Sequence, residues 1–179
     1  MKKHFFLLIF TILSTLVYSQ NNRAEGKIIK NFGETFEVNN PEIKTDTSAE
    51  LKVIFDVSST SSNKSVINKS IVTAARFLNM HANAGMKLNQ LKVAMTIHGA
   101  AWKDVLSDEE YKKRFGVVNP NSQLIKDLNS AGVDIIICGQ TAMFRKINRA
   151  IVIPEVDFAL SAMTALLQYQ NNGYKFIKF

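Results

Sequence analysis

The sequence contains one cysteine, Cys138, and the position of this residue suggests that its thiol does chemistry. Cys138 closes an apolar, strand-like run over residues 133–137, and a helical pattern begins after Gly139 and Gln140. A thiol at such a junction lies beside the free N–H groups and the positive dipole end of the helix. Both favour the thiolate, which is the nucleophilic form of cysteine. We therefore interpret Cys138 as the candidate catalytic residue.

A structural role for Cys138 is the alternative, because unpaired cysteine is among the most buried residue types in proteins. A sequence with one cysteine cannot form an internal disulfide, so a disulfide between two chains is a further alternative for Cys138. The chain also offers no second thiol to resolve a modified one. Any persulfide or sulfenate formed on Cys138 must therefore be passed to another molecule.

Two further candidates, Asp56 and His98, lie at the ends of the apolar runs 51–57 and 91–97. If these runs are parallel strands, their carboxyl ends share one edge of a sheet with Cys138. His98 would orient the thiolate or act as a general base, or it would only cap its strand. Asp56 would orient His98 or bond turn amides, and the serine-rich residues 58–62 favour the turn.

Alternating apolar runs and helical periods predict an α/β fold with a mostly parallel sheet and helices on both faces. Helices are expected from Ile67 to Leu78, at 107–114, from Asn119 to Leu128, at 140–147 and from Pro154 to Leu167. The predicted strands cover residues 51–57, 91–97, 133–137, 150–153 and 174–179. Ligands of such open sheets bind outside the carboxyl ends of the strands.

The amino-terminal residues predict export to the periplasm or secretion. Residues 1–19 combine two lysines, an apolar stretch and small residues before Gln20, as a signal peptide does. We expect residues 20–48 to form a polar extension with an edge strand at 35–38, and residues 49–179 to form the domain. Once the signal is cleaved, we expect no stable insertion into the membrane.

The net charge of +7 is carried by scattered basic residues without interleaved aromatic ones, so we expect no nucleic-acid partner. One cysteine and three histidines provide no zinc spacing, and no Gly-rich phosphate loop or G-x-S-x-G motif occurs. We therefore expect neither a metal nor a cofactor.

The chain from residue 51 to residue 179 resembles the DsrE/DsrF-like family. The resemblance rests on four motifs, Val53-Ile54-Phe55-Asp56, Ile97-His98-Gly99-Ala100, Asn119-Pro120 and Ile137-Cys138-Gly139-Gln140. It implies a three-layer α/β/α sandwich around a mainly parallel five-stranded sheet, and assembly into homo-oligomers. Sulfur-relay members carry a persulfide on a cysteine at the position of Cys138.

The resemblance implies an exported protein that handles sulfane sulfur, with Cys138 as the persulfide carrier and His98 beside it. Asp56, Gly139, Gln140 and Arg145 are the expected substrate-binding residues. Arg145 stands in for an arginine of the relay members, although no glycine follows it here. The expected partners are a thiol or a protein that donates or accepts sulfur. The alternative function is a noncatalytic module that binds a small ligand or a protein, and whether the chain has enzymatic sulfur-transfer activity stays open.

Overall fold

The computed structural model describes residues 23–178, which form an α/β domain with a short amino-terminal extension. Two short strands lie in the extension, β1 (Arg23–Ala24) and β2 (Thr35–Phe36). The remaining strands and helices are, in chain order, β3 (Leu51–Val57), α1 (Lys69–Asn83), β4 (Leu91–Ile97), α2 (Asp108–Phe115), α3 (Ser122–Ser130), β5 (Asp134–Cys138), α4 (Gly139–Phe144), β6 (Val156–Ala159), α5 (Ala162–Asn171) and β7 (Lys175–Ile177).

Five strands form one sheet in the order β6-β5-β4-β3-β7, and every neighbouring pair is parallel. Parallel neighbours need crossover connections, which the helices supply. This arrangement confirms the predicted α/β class with a five-stranded parallel sheet. All five carboxyl ends therefore lie at the same edge of the sheet.

The two faces of the sheet differ in how they are covered, because successive side chains of a strand point to opposite faces. Val53, Val93 and Ile135 lie on one face and belong to the main core, together with buried residues of α1 and α3. The alternate residues, Ile54, Ala94 and Asp134, are in register on the other face. That face is packed against α5, whose Tyr169 hydroxyl donates to Asp134 at 2.9 Å.

The strands predicted at 51–57 and 91–97 are confirmed with the same bounds. The elements predicted at 150–153 and from Pro154 to Leu167 were placed too early in the sequence. Residues 149–151 form a 3₁₀ turn, and the fourth strand is β6. Pro154 does not begin a helix; α5 begins after Ser161, whose hydroxyl accepts the N–H of Thr164. The physical reason is that this serine satisfies a free N–H of the first turn, which Pro154 cannot do.

The predicted start of α3 was also wrong, since Asn119 and Pro120 precede the helix and Asn121 stands at its N-cap. The Asn119 side chain is buried and donates to the carbonyls of Asp104 and Leu106 at 2.9 and 2.7 Å. It therefore joins two loops instead of capping a helix. Helix α4 is shorter than predicted and ends before Ile147, and the last strand is limited to β7.

The extension is attached to α1 and forms a two-stranded antiparallel ribbon separate from the main sheet. Its strand at Thr35 was predicted, although as a longer strand. The predicted signal peptide, residues 1–19, lies outside the described residues. Within residues 23–178, no helix has the length and apolar character needed to cross a membrane.

Candidate functional site

Cys138 is the last residue of β5 and the residue before α4, as the sequence predicted. It is paired in register with Ala159 at the end of β6, and α5 begins three residues after Ala159. The thiol therefore lies where two helices begin, whereas the sequence predicted one. Its exposed fraction is 6%, so the sulfur is largely shielded from water.

The surroundings of Cys138 lower the pKa of its thiol. Burial raises the pKa, but donors around the sulfur outweigh burial: the N–H and hydroxyl of Thr141 and the N–H groups of Ala162 and Gln140. The sulfur makes no regular capping bond with α4, and these donors nevertheless favour its charged form. The thiolate is therefore more populated at neutral pH than that of an unperturbed cysteine.

Gly139 allows the second helix to approach the thiol. A side-chain carbon at this position would lie 2.5 Å from the carbonyl oxygen of Ala159 and 3.1 Å from that of Leu160. Both distances are shorter than an ordinary van der Waals contact. The glycine lets the loop between β6 and α5 pass directly over residue 139 and bring the N–H of Ala162 to the sulfur.

Asp56 and His98 are joined in a charged cluster at the same edge of the sheet. The Nε2 atom of His98 lies 2.6 Å from Oδ1 of Asp56, and Nζ of Lys178 lies 3.0 Å from Oδ2. The side chain of Asp56 is 6% exposed, and that of His98 is 29% exposed. Burial raises the pKa of Asp56, but bonds from Lys178 and His98 outweigh it and hold the pKa below its ordinary value.

The sequence favoured hydrogen bonds from Asp56 to turn amides, but its side chain has other partners. Its carboxylate bonds His98 and Lys178, and the Thr96 hydroxyl donates to it at 3.3 Å. The reason is register, because Asp56 and Thr96 are paired on neighbouring strands and share a face. The side chain thus points along the sheet edge instead of toward the following turn.

His98 and Cys138 occupy neighbouring positions, since the residues before them, Ile97 and Ile137, are paired in register. Within residues 23–178, no hydrogen bond joins the His98 ring to the sulfur, and Nε2 faces Asp56. Gly99 fixes the backbone after His98 with a φ of 55°, and a side-chain carbon there would lie 2.7 Å from the carbonyl of Ser58. The ring is thus oriented by Asp56 on β3 and not by the thiol.

Two further predicted site residues, Gln140 and Arg145, lie at opposite ends of α4. Gln140 is exposed, and its amide donates to the carbonyl of Leu160 at 3.3 Å, so it closes the loop over Cys138. Arg145 lies at the far end of α4, with its guanidinium 5.7 Å from the ring centre of Trp102 and 5.2 Å from that of Phe144. The structure therefore gives Arg145 aromatic partners, and within residues 23–178 its side chain makes no hydrogen bond to Cys138.

Sequence reasoning missed three residues that act on the site: Thr141, Ala162 and Lys178. The helix start at Ser161 was the available signal for Ala162, because serine followed by a helical pattern is a common N-cap. No local signal pointed to Lys178, which meets Asp56 across 122 positions of the chain. Among residues 23–178, no group of three or more His, Cys, Asp or Glu side chains is arranged to hold a metal ion.

A parallel five-stranded sheet with a cysteine of lowered pKa at a strand end defines the class, an α/β/α sandwich with a thiol at the carboxyl edge. Residues 52–179 match the model of the DsrE/DsrF-like family. The chain belongs to the DsrE/DsrF-like family, which associates it with sulfur relay in general.

Solved structures support the fold. The MTH1491 protein of unknown function from Methanobacterium thermoautotrophicum matches 72% of this chain and 99% of its own, with 13% identity and a TM-score of 0.55. The ychN protein from E. coli matches the same shares with 16% identity and a TM-score of 0.54. At these identities the likeness concerns the fold. No curated protein sequence matches this chain.

Proposed function

We propose that this chain is an exported sulfur-relay protein in which Cys138 carries sulfane sulfur as a persulfide. The observation that carries the proposal is the position of the thiol, shielded from water yet surrounded by donors that lower its pKa. Membership of the DsrE/DsrF-like family supports the same assignment. Because the sequence has one cysteine, the sulfur is handed to another molecule.

The proposed transfer exchanges one S–S bond for another. The Cys138 thiolate attacks a sulfane sulfur of a polysulfide, a new bond forms to Sγ, and the shortened polysulfide leaves with the electron pair. An acceptor thiolate then attacks the outer sulfur of the persulfide, and Cys138 leaves as thiolate. Both steps conserve the number of S–S bonds, so neither needs an external oxidant or reductant.

The surrounding groups would stabilise negative charge during both steps. The N–H groups of Gln140 and Ala162 favour an anionic sulfur now, and they would also favour the leaving thiolate in the second step. With Nε2 bonded to Asp56, the His98 ring has Nδ1 left to interact with a donor or acceptor molecule. In this proposal His98 positions the reacting partner at the mouth of the site.

The test combines alkylation and intact mass on the same protein. We expect Cys138 to react with iodoacetamide with a pH midpoint below that of the same thiol in the urea-unfolded chain. Incubation with polysulfide is expected to add the mass of one sulfur atom, which an acceptor thiol such as dithiothreitol removes.

Protein recovered outside the cytoplasm is expected to have the mass of a chain beginning at Gln20.

Cys138→Ser is the control for the sulfur adduct, because it differs by one atom and keeps the size of the side chain. A mass gain that persists in this variant would contradict the persulfide, as would a native midpoint equal to that of the unfolded chain. Recovery of the chain with Met1 retained would contradict export. Without a sulfur adduct on Cys138 the noncatalytic module is favoured, since a thiol that is 6% exposed and makes no hydrogen bond to His98 within residues 23–178 is also compatible with a structural residue.

Assembly of identical chains is a further part of the proposal. Exposed apolar side chains occur on α4, on α5 and in the loop before α5: Met143, Phe144, Leu160, Met163 and Leu167, each at least 62% exposed. Contact between copies through these side chains would remove them from water and bring a second chain to the two helices that begin beside Cys138. Light scattering on the purified protein is expected to give a multiple of the monomer mass, and a monomer at all concentrations would contradict this part.

A further inference from the structure

A second group of charges at the carboxyl edge is not used by the cysteine chemistry. Lys103 follows β4 in a 3₁₀ segment and is buried, with 9% of its surface exposed. Its Nζ atom has one long hydrogen bond, 3.4 Å, to the carbonyl of Ala100. The ammonium of Lys64, in the loop before α1, lies 5.6 Å from the ring centre of Phe115. Hydrogen bonds from Thr60 and Asn68 to Asp104 hold this loop against the residue that follows Lys103, and Lys64 is near enough to repel Lys103. We call these two residues the lysine pair.

The lysine pair has too little negative charge around it. Burial and repulsion by Lys64 lower the pKa of Lys103, and Asp104 attracts both lysines. The oxygens of Asp104, however, accept the Thr60 hydroxyl at 3.0 Å and the Asn68 amide at 2.7 Å. Among residues 23–178, no carboxylate lies within 4.0 Å of either ammonium. A buried ammonium next to a like charge is costly unless an anion joins them.

Two arginines lie near the side chain of the residue that precedes Lys103. The guanidinium groups of Arg114 and Arg145 lie 5.5 and 5.7 Å from the ring centre of Trp102, the residue before Lys103. Glu110 is paired with Arg114 at 2.6 Å and so neutralises one of these cations. The Trp102 ring lies 6.3 Å from the Phe115 ring, which Lys64 also approaches, so the arginines and the lysine pair share one region of the molecule. Positive charge concentrated in one region attracts anions.

We propose that Lys64 and Lys103 form a binding site for a small tetrahedral oxyanion of the phosphate or sulfate type. Each ammonium has three donors, and an oxyanion between them would accept charge-assisted bonds from both. Its attraction to each lysine would offset the repulsion between the two ammonium groups. Small size follows from the burial of Lys103, which a bulky anion could not reach. The site is separate from Cys138 and goes beyond the proposed sulfur transfer.

Trp102 provides the measurement, because it is the one tryptophan of the sequence and it adjoins Lys103. Sodium phosphate, sulfate and thiosulfate would each be titrated into the full chain at constant ionic strength set with KCl. We expect a saturable change in tryptophan fluorescence and a raised Tm with at least one of the three anions. The preferred anion distinguishes a phosphate ligand from a sulfur oxyanion.

Lys103→Gln and Lys64→Gln are expected to weaken binding roughly tenfold or more, since each removes a charge-assisted bond. Lys112→Gln, on the exposed side of α2, is the matched control and should bind like wild type. Lys64 is half-buried, so Lys64→Gln is expected to fold. It therefore tests the site even if Lys103→Gln does not fold. Cys138→Ser should also bind normally, which separates this site from the sulfur chemistry. A response equal to that of KCl, or wild-type affinity in both lysine variants, would overturn the proposal.

Discussion

Gly139→Ala is expected to raise the pH midpoint of Cys138 alkylation and to lower the free energy of unfolding by about 1–3 kcal/mol. The new methyl group would lie 2.5 Å from the carbonyl oxygen of Ala159, which is backbone and cannot rotate away. The loop between β6 and α5 must therefore move. This movement takes the N–H of Ala162 away from the sulfur and removes one of the donors that lower the thiol pKa. Iodoacetamide kinetics against pH and urea unfolding measure the two effects.

Gly116→Ala is the matched control for this change. Gly116 has a φ of 78° at the end of α2, and an added side-chain carbon would meet nothing within 4 Å apart from its own chain neighbours. The substitution therefore costs the strain of a left-handed residue, about 1 kcal/mol, without moving the loop over Cys138. We expect its alkylation midpoint to equal that of wild type. An unchanged midpoint in Gly139→Ala would show that Ala162 does not contribute to the thiol pKa.

The central strands could be predicted because their signal is local. The runs at 51–57 and 91–97 are apolar and bounded by polar turns, and burial on both faces of a parallel sheet produces that pattern. Cys138 was found in the same way, from a strand end followed by a helix start. The resemblance to a family added the strand count and the layer order, which the local pattern leaves open.

The predictions that the structure does not bear out concern positions that are set by contacts between distant residues. The strand at 150–153 was predicted from its apolar residues, but Val152 and Ile153 are buried as loop residues and the edge position is taken by β6. Asp56 was assigned to a turn because the following residues are turn formers, whereas register with Thr96 and the approach of Lys178 decide its partners. Periodicity does not encode such pairings, since they arise from the topology of the sheet.

Asn79→Ala is expected to have the largest effect on stability, a loss of at least about 3 kcal/mol. The Asn79 side chain is fully buried on α1 and accepts the N–H groups of Ile28 and Ile29 at 3.1 and 2.9 Å. Its amide donates to the carbonyls of Ile29, Phe32 and Gly33 at 2.9, 2.9 and 3.1 Å. Alanine would leave all five backbone groups without this partner, several of them away from water.

Detachment of the extension from α1 would expose these backbone groups to solvent and so remove the free-energy cost of burying them unpaired. Detachment removes Ile29 from the core and makes residues 23–50 accessible to proteases before the domain unfolds. We therefore expect limited proteolysis to cut the Asn79→Ala variant within the extension while the sheet remains folded. Thermal unfolding followed by circular dichroism would show the accompanying fall in Tm.

Asn83→Ala on the same helix is the matched control. Asn83 is half-buried, and its amide makes two longer contacts with the extension, 3.4 Å to the carbonyl of Glu25 and 3.2 Å to the hydroxyl of Thr35. We expect this variant to lose less than about 1 kcal/mol and to resist proteolysis like wild type. Equal losses in the two variants would contradict the assignment of Asn79 as the main attachment. Ile29 of the extension lies in the core, and Ile28 and Phe32 pack against it. Asn79 satisfies the buried backbone groups of the same segment, so among the polar contacts this residue should dominate the docking of the extension.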